Sequence, residues 1–165
     1  MYFVAGCTLA LLGWQGASRL RAGSLERLVF AGSPGPEAGR WTVALIFTPK
    51  ECPSRMDLVE RLNQLSNPRV VVRGIMLVDT RRFPGWKDAV VANRITFPVR
   101  AESPASAGVV LQAMGGLPTP VLAVYDPMRR LRLVTDLASG ASLDGLLAEI
   151  ASRTTDPVTS TESAR

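Results

Sequence analysis

One residue in this chain has the type and setting for covalent chemistry. Cys52 stands in Thr48-Pro49-Lys50-Glu51-Cys52-Pro53-Ser54-Arg55, directly after the apolar run Val43-Ala44-Leu45-Ile46-Phe47. The run reads as a buried strand and Pro53 as part of a first helical turn, so the thiol is expected where a strand hands over to a helix. Backbone N–H groups and the positive end of a helix dipole stabilise a thiolate at such a junction. The helix start at Pro53 and the cations Arg55 and Lys50 are expected to lower the Cys52 pKa, and Glu51 to oppose them. A thiolate so placed can attack a disulfide and form a mixed disulfide. A dithiol protein resolves that intermediate with a second thiol, and no other cysteine lies near Cys52 in the sequence. The other cysteine, Cys7, lies in an apolar N-terminal stretch and is not expected to act as the resolver. An external thiol such as glutathione is the expected substitute; the alternative is a site that binds a partner without turning over.

Composition narrows the remaining chemistry. The 165 residues suggest one domain plus appendages, long enough to bury a core without staples. Nineteen Lys and Arg against 14 Asp and Glu give a net charge of +5, but the cations are scattered and no block of five like charges occurs. Nucleic-acid binding is therefore not expected. The chain has no His, which excludes a His-bearing metal site and a Ser-His-Asp or Cys-His catalytic arrangement. Two cysteines in such different contexts make neither a disulfide framework nor a zinc site. No metal and no cofactor is expected.

The elements that must position Cys52 follow from periodicity. Trp41–Phe47 reads as a central strand, apolar on both faces. From Pro53 to Leu65, Met56, Val59, Leu62 and Leu65 recur at helical spacing, and Asn67-Pro68 ends that helix. Val70–Val78 is a second buried strand, Phe83–Asn93 a second helix and Ile95–Val99 a short extended piece. Ser103–Met114 is a third helix with Ser103 at the N-cap and Pro104 first. Gly115-Gly116-Leu117-Pro118-Thr119-Pro120 turns into a third buried strand ending at Tyr125. Asp126-Pro127-Met128-Arg129 makes a hairpin turn, and Arg130–Thr135 an outer strand with Leu131 and Leu133 inward. Ser142–Ser152 is a last helix with Leu143, Leu146, Leu147 and Ile150 on one face. Alternating strands and helices predict an α/β fold of three layers, a central mixed sheet with helices on both faces. Trp41 and Trp86 are expected in the core or at its rim, and Arg81-Arg82 and Arg129-Arg130 in solvated turns.

The domain is expected over residues 41–152, after a linker at 19–40 in which Leu25–Phe30 reads as a short strand or turn of helix. A polar, disordered tail follows at 153–165. Residues 1–18 form an apolar segment, uncharged from Tyr2 to Ala17 and followed by Arg19 and Arg21. They are expected to be a membrane anchor or signal segment, slightly short of the ~20 residues that span a bilayer. A buried amphipathic helix and a lipidated Cys7 in Val4-Ala5-Gly6-Cys7 are the lesser readings. The arginines after the apolar run would by charge keep the domain cytoplasmic, unless a basic start lies upstream.

The order of elements, with Cys52 five positions after Phe47, Ile95-Thr96-Phe97-Pro98-Val99 before an inserted helix, and Leu117-Pro118-Thr119-Pro120 leading into a strand, resembles the thioredoxin-like superfamily. More narrowly it resembles the TlpA-like/AhpC-TSA (redoxin) group, over roughly Trp41 to Ala151. The resemblance implies a thiol–disulfide oxidoreductase fold, a membrane-anchored and extracytoplasmic setting on the periplasmic side, and protein thiols or disulfides as partners. It implies a cis proline at Pro118 beside Cys52, with Leu117, Pro118 and Thr119 forming the substrate-binding wall. Three positions depart from the pattern. Arg55 replaces the resolving cysteine of Cys-x-x-Cys, Ile46 stands where thioredoxins carry a buried Asp, and Pro49 stands where peroxiredoxins carry a Thr.

Overall fold

A computed structural model of the chain describes residues 23–32, 39–51, 56–65 and 68–136, together with 148 and 152. The elements are a helix at residues 23–30 (α1), β1 Trp41–Phe47, α2 Met56–Leu65, β2 Val70–Leu77, α3 Trp86–Ala92, β3 Val99–Glu102, α4 Pro104–Ala113, β4 Val121–Tyr125 and β5 Leu131–Asp136. The sheet order is β3-β2-β1-β4-β5. β1 pairs in parallel with β2, and β2 with β3; β4 runs antiparallel to both β1 and β5. The sheet is mixed and covered on both faces, as the alternating units predict. Of the last expected helix only positions 148 and 152 are described, and both are helical. The segment 1–18 and the tail 153–165 lie outside the described residues. Among the described residues no helix is long and apolar enough to cross a membrane.

β1 is central because every residue from Thr42 to Phe47 is apolar or small enough to be buried. Alternation along it feeds two cores. Val43, Leu45 and Phe47 pack with Val70, Val72, Met76, Leu122 and Val124 under Leu58, Val59 and Leu62 of α2. Ala44 and Ile46 pack on the opposite face with Ile75, Ala123 and Tyr125, under Leu25, Leu28 and Val29 of α1 and Ala107 and Leu111 of α4. Within the expected linker, where Leu25–Phe30 was read as a short strand or turn of helix, residues 23–30 form a helix whose Leu25 is fully buried. Its apolar residues are too few to show a period over a long window, and the Gly- and Pro-rich stretch behind it reads as a break.

Other differences have local causes. The second helix is only Trp86–Ala92, with no buried residue. The Asp79 carbonyl accepts the N–H groups of Arg82 and Phe83, so the chain is still turning where the helix was expected to begin. β3 starts at Val99 rather than ending there. Pro98 has no N–H to donate, although its carbonyl accepts from Gly74 at 2.8 Å. Ile95 and Phe97 instead bury their side chains in the core of the α2 face. Asn63 of α2 holds the segment down: its Nδ2 donates to Arg94 O at 2.8 Å, and its Oδ1 accepts from Thr96 N at 2.9 Å. Gly74 on β2 leaves room for this packing, since a Cβ there would lie 2.7 Å from Val99 Cγ2 and 3.3 Å from the Phe47 ring. Ser103 occupies the N-cap of α4, but its side chain makes no capping bond.

The outer strand also departs from strict alternation. Val124 pairs with Leu133, while Tyr125 pairs with Leu131, so Arg132 is the extra residue of a bulge. Leu131 therefore packs on the α1 face and Leu133 on the α2 face, instead of sharing one side. Arg132 turns back to the hairpin, its Nε 2.9 Å and its Nη2 2.6 Å from Asp126 Oδ2. Asp126 Oδ1 accepts the N–H groups of Met128 at 2.9 Å and Arg130 at 2.8 Å. Arg82 is solvated, 3.5 Å from Asp79. Arg129 is only half exposed; it adopts a positive φ and lies over the Phe30 ring, 4.5 Å from its centroid. Phe30 in turn meets Tyr125 edge-on with centroids 5.2 Å apart. Burial, and secondarily the nearby Glu26 charge, push the Tyr125 hydroxyl well above its ordinary pKa. Trp41 and Trp86 pack partly buried against the core of the α2 face.

Candidate functional site

The site is assembled where β1 ends. In the β1/β4 register Ile46 pairs with Val121, while Phe47 still pairs with Met76 of β2, so the chain leaves the sheet at Thr48. This brings the turn after β1 against the loop before β4. Phe47 is buried and anchors the turn, while Thr48 and Pro49 are half buried and Lys50 is exposed. The turn closes when Glu51 N donates to Thr48 O at 3.1 Å.

Glu51 ties the two segments together. Its Oε2 accepts the Thr48 N–H at 2.7 Å, and its Oε1 accepts the Thr119 hydroxyl at 2.6 Å. Both are short, charge-assisted bonds of the stronger kind. Cys52, Pro53, Ser54 and Arg55 lie outside the described residues, between this turn and the start of α2; Cys7 lies outside them as well.

The facing loop is set by the end of α4. Gly115 and Gly116 take positive φ values of 101° and 73°, and their N–H groups donate to Gln112 O and Leu111 O, which ends the helix and redirects the chain. Leu117 then packs partly buried against the core of the α1 face. Pro118 is exposed, Thr119 half buried and Pro120 buried.

The cis bond of this loop is Thr119–Pro120, which corrects the expectation for Pro118. Both are X–Pro bonds and tolerate cis alike, so residue type does not choose between them; position against the sheet does. β4 begins at Val121, immediately after Pro120, whereas Pro118 stands outside the core. Counting back from Asp126 at the hairpin would have found Pro120. Glu51 was legible only as a charge beside Cys52; its bond to Thr119 spans 68 positions and has no local signal.

The same edge of the sheet holds a crevice of about 660 Å³ at the carboxyl ends of β2 and β3, bordered by Asp79, Arg81, Arg82, Glu102 and Ser103. Among the described residues no three His, Cys, Asp or Glu side chains converge on a point that could hold a metal ion. Ile46, where the resemblance would put a proton-transferring acid, is fully buried among apolar side chains.

No family model matches the chain, and no curated protein matches it. Solved structures do. The chain is similar to a secreted Mycobacterium tuberculosis disulfide oxidoreductase homologous to E. coli DsbE, with a TM-score of 0.52 and 21% identity over 70% of this chain and 83% of that one. It is similar to a thiol-disulfide oxidoreductase from Bacteroides fragilis, with a TM-score of 0.53 and 16% identity over 72% and 86%. A thiol:disulfide interchange protein from a Bacteroides species gives 0.51 and 13% over 75% and 79%. At these identities the likeness concerns the backbone.

Proposed function

We propose that this chain, whose fold is thioredoxin-like, performs thiol–disulfide exchange through the single thiol of Cys52. The observation that carries the reading is the Glu51 bridge, which holds the turn directly preceding Cys52 against the loop containing the cis Pro120. An extended peptide bound beside that turn would pair with the backbone of the loop before β4.

In the forward step the Cys52 thiolate attacks one sulfur of a substrate disulfide. A Cys52–substrate S–S bond forms, and the other sulfur leaves as a thiolate. An external thiol of the glutathione class then attacks the mixed disulfide. It becomes disulfide-linked to the substrate sulfur or to Cys52, and a further equivalent restores the free thiol. Each turnover reduces one disulfide and oxidises two external thiols. Partners are protein thiols or disulfides.

The test is reduction of a disulfide-bonded protein with and without glutathione, by wild type and Cys52→Ser. Wild type should accelerate the reaction only when glutathione is present, and Cys52→Ser should run at the uncatalysed rate. Equal rates for the two proteins would leave the second reading, a non-catalytic fold that binds or positions a partner. That reading is favoured by Ile46, whose place in an apolar core leaves no acid to move a proton there.

Residues 1–18 complete the proposal as an anchor, supported by their uncharged, apolar composition; the periplasmic side follows from the resemblance alone, against the charge of Arg19 and Arg21. A topology reporter fused after Ser152 should be active outside the cytoplasm; activity confined to the cytoplasm would reverse the orientation.

A further inference from the structure

We infer that the edge of the sheet opposite the candidate site is a docking surface for an anionic lipid bilayer. It goes beyond the proposed anchor and does not involve Cys52.

The topology gathers cations that are scattered in the sequence. β1, β2 and β3 are parallel, and β4 runs back against β1 with Thr42 paired to Tyr125. The residues entering the three parallel strands and the hairpin leaving β4 therefore share one edge. Arg40 enters β1 and Arg69 enters β2, and Trp41 N donates to Arg69 O at 2.8 Å. Arg94 leads toward β3 and is held to the last turn of α2 by Asn63. Arg129 and Arg130 lie in the hairpin. Arg69, Arg94 and Arg130 are exposed. The hairpin's own carboxylate, Asp126, is already bound by Arg132. Glu51, Asp79 and Glu102 stand at the other edge, where β1, β2 and β3 end. α1, α2 and α3 each return the chain to the start of a strand, so their C-terminal ends also lie at the cationic edge. At about half a negative charge each, they offset only part of the excess.

The same edge carries an apolar tip. Met128 projects from the hairpin, 73% exposed, next to Arg129 and Arg130. An apolar side chain within a rim of arginines fits a bilayer surface: guanidinium groups meet lipid phosphates in bidentate fashion, and the tip enters the boundary of the acyl chains. A soluble polyanion would match the charge but leave the tip without an apolar partner. Docking by this edge turns the turn at 48–51 and the loop before β4 away from the lipid.

The test uses the full chain with Cys7→Ser and Cys52→Ser, carrying a fluorophore at Met128→Cys or, on the opposite edge, at Thr80→Cys. The vesicles are phosphatidylcholine, or its equimolar mixture with phosphatidylglycerol, both with a nitroxide on a share of the headgroups. On anionic vesicles the label at 128 should be quenched several-fold more than the label at 80. The difference should vanish on neutral vesicles and in ~0.5 M salt, where the screening length is only about 4 Å. Arg94→Gln with Arg130→Gln should erase it too, since each arginine near an anionic surface shifts occupancy about fivefold. Both side chains are exposed, so the double variant keeps the fold. Equal quenching at the two positions on anionic vesicles would overturn the inference and leave the edge to a soluble acidic partner. A difference that survives both salt and the double variant would overturn it as well. Flotation separates the anchor from the edge. A chain that floats with anionic but not with neutral vesicles would remove the anchor and keep the edge; one that floats with neither would remove both.

Discussion

Leu25→Ala should destabilise the domain by about 3 kcal/mol, read as a lower midpoint in urea unfolding with an unchanged slope. The side chain is fully buried beneath α1, in one core with Ile46, Ile75, Ala123 and Tyr125. Truncating a buried leucine removes its transfer free energy and leaves a cavity, together about 2–5 kcal/mol. Small residues on the sheet face below, Ala44 and Ala123, offer no flexible side chain to fill the space. The estimate lies in the middle of that range because α1 is short and can settle onto the sheet. A loss within about 0.5 kcal/mol, typical of exposed positions, would mean that residues 23–30 behave as the linker their composition suggests.

Asp126→Ala should have an effect of similar size, but only above acid pH. Asp126 is 6% exposed and accepts two backbone N–H groups and the Arg132 guanidinium. Burial pushes its carboxyl pKa up, but the hydrogen bonds from Arg130, Arg132 and Met128 and the Arg132 charge outweigh that and hold it below the usual range. A carboxyl depressed in the folded state contributes stability that is fully present above its unfolded pKa of about 3.9 and is lost as pH falls through the folded value. Losing the carboxylate strands two N–H groups and frees the arginine, at a cost of about 3 kcal/mol near neutrality. The Arg132 part is discounted because that side chain is 46% exposed. The gap between wild type and variant should therefore narrow as unfolding is measured from pH ~6 down to pH ~2. A gap of constant size across that range would rule out a contribution from the charged carboxylate.

These two residues mark the limits of what residue order reveals. The strands β1, β2 and β4 were legible because each is a largely apolar run, interrupted only by Thr42 in β1 and by Arg73 in β2, as a strand buried on both faces requires. The cap position and first proline of α4 were legible for the same local reason. Features decided by distant contacts were not. The packing of α1 depends on a sheet formed later in the chain. The start of β3 depends on Asn63 gripping residues 94 and 96, and the bulge at Arg132 on a carboxylate across the hairpin. The candidate site divides in the same way. Cys52 announces itself by type and by the strand before it, and the loop before β4 by its prolines. Which proline is cis, and the bond between Glu51 and Thr119, belong to the β1/β4 register.

The bulge has a consequence for the protein's encounters with copies of itself. β5 is the outermost described strand on its side, where a row of backbone donors and acceptors could template a further strand. The extra residue kinks that row, and the cationic side chains of Arg130 and Arg132 stand on or beside it. An incoming strand would lose ladder bonds at the kink and bring its own backbone against charge. The other side ends in β3, which at four residues is too short to pair stably with a neighbour. Both margins of the sheet thus discourage edge-to-edge association, a useful property for a protein proposed to handle substrates as extended chains.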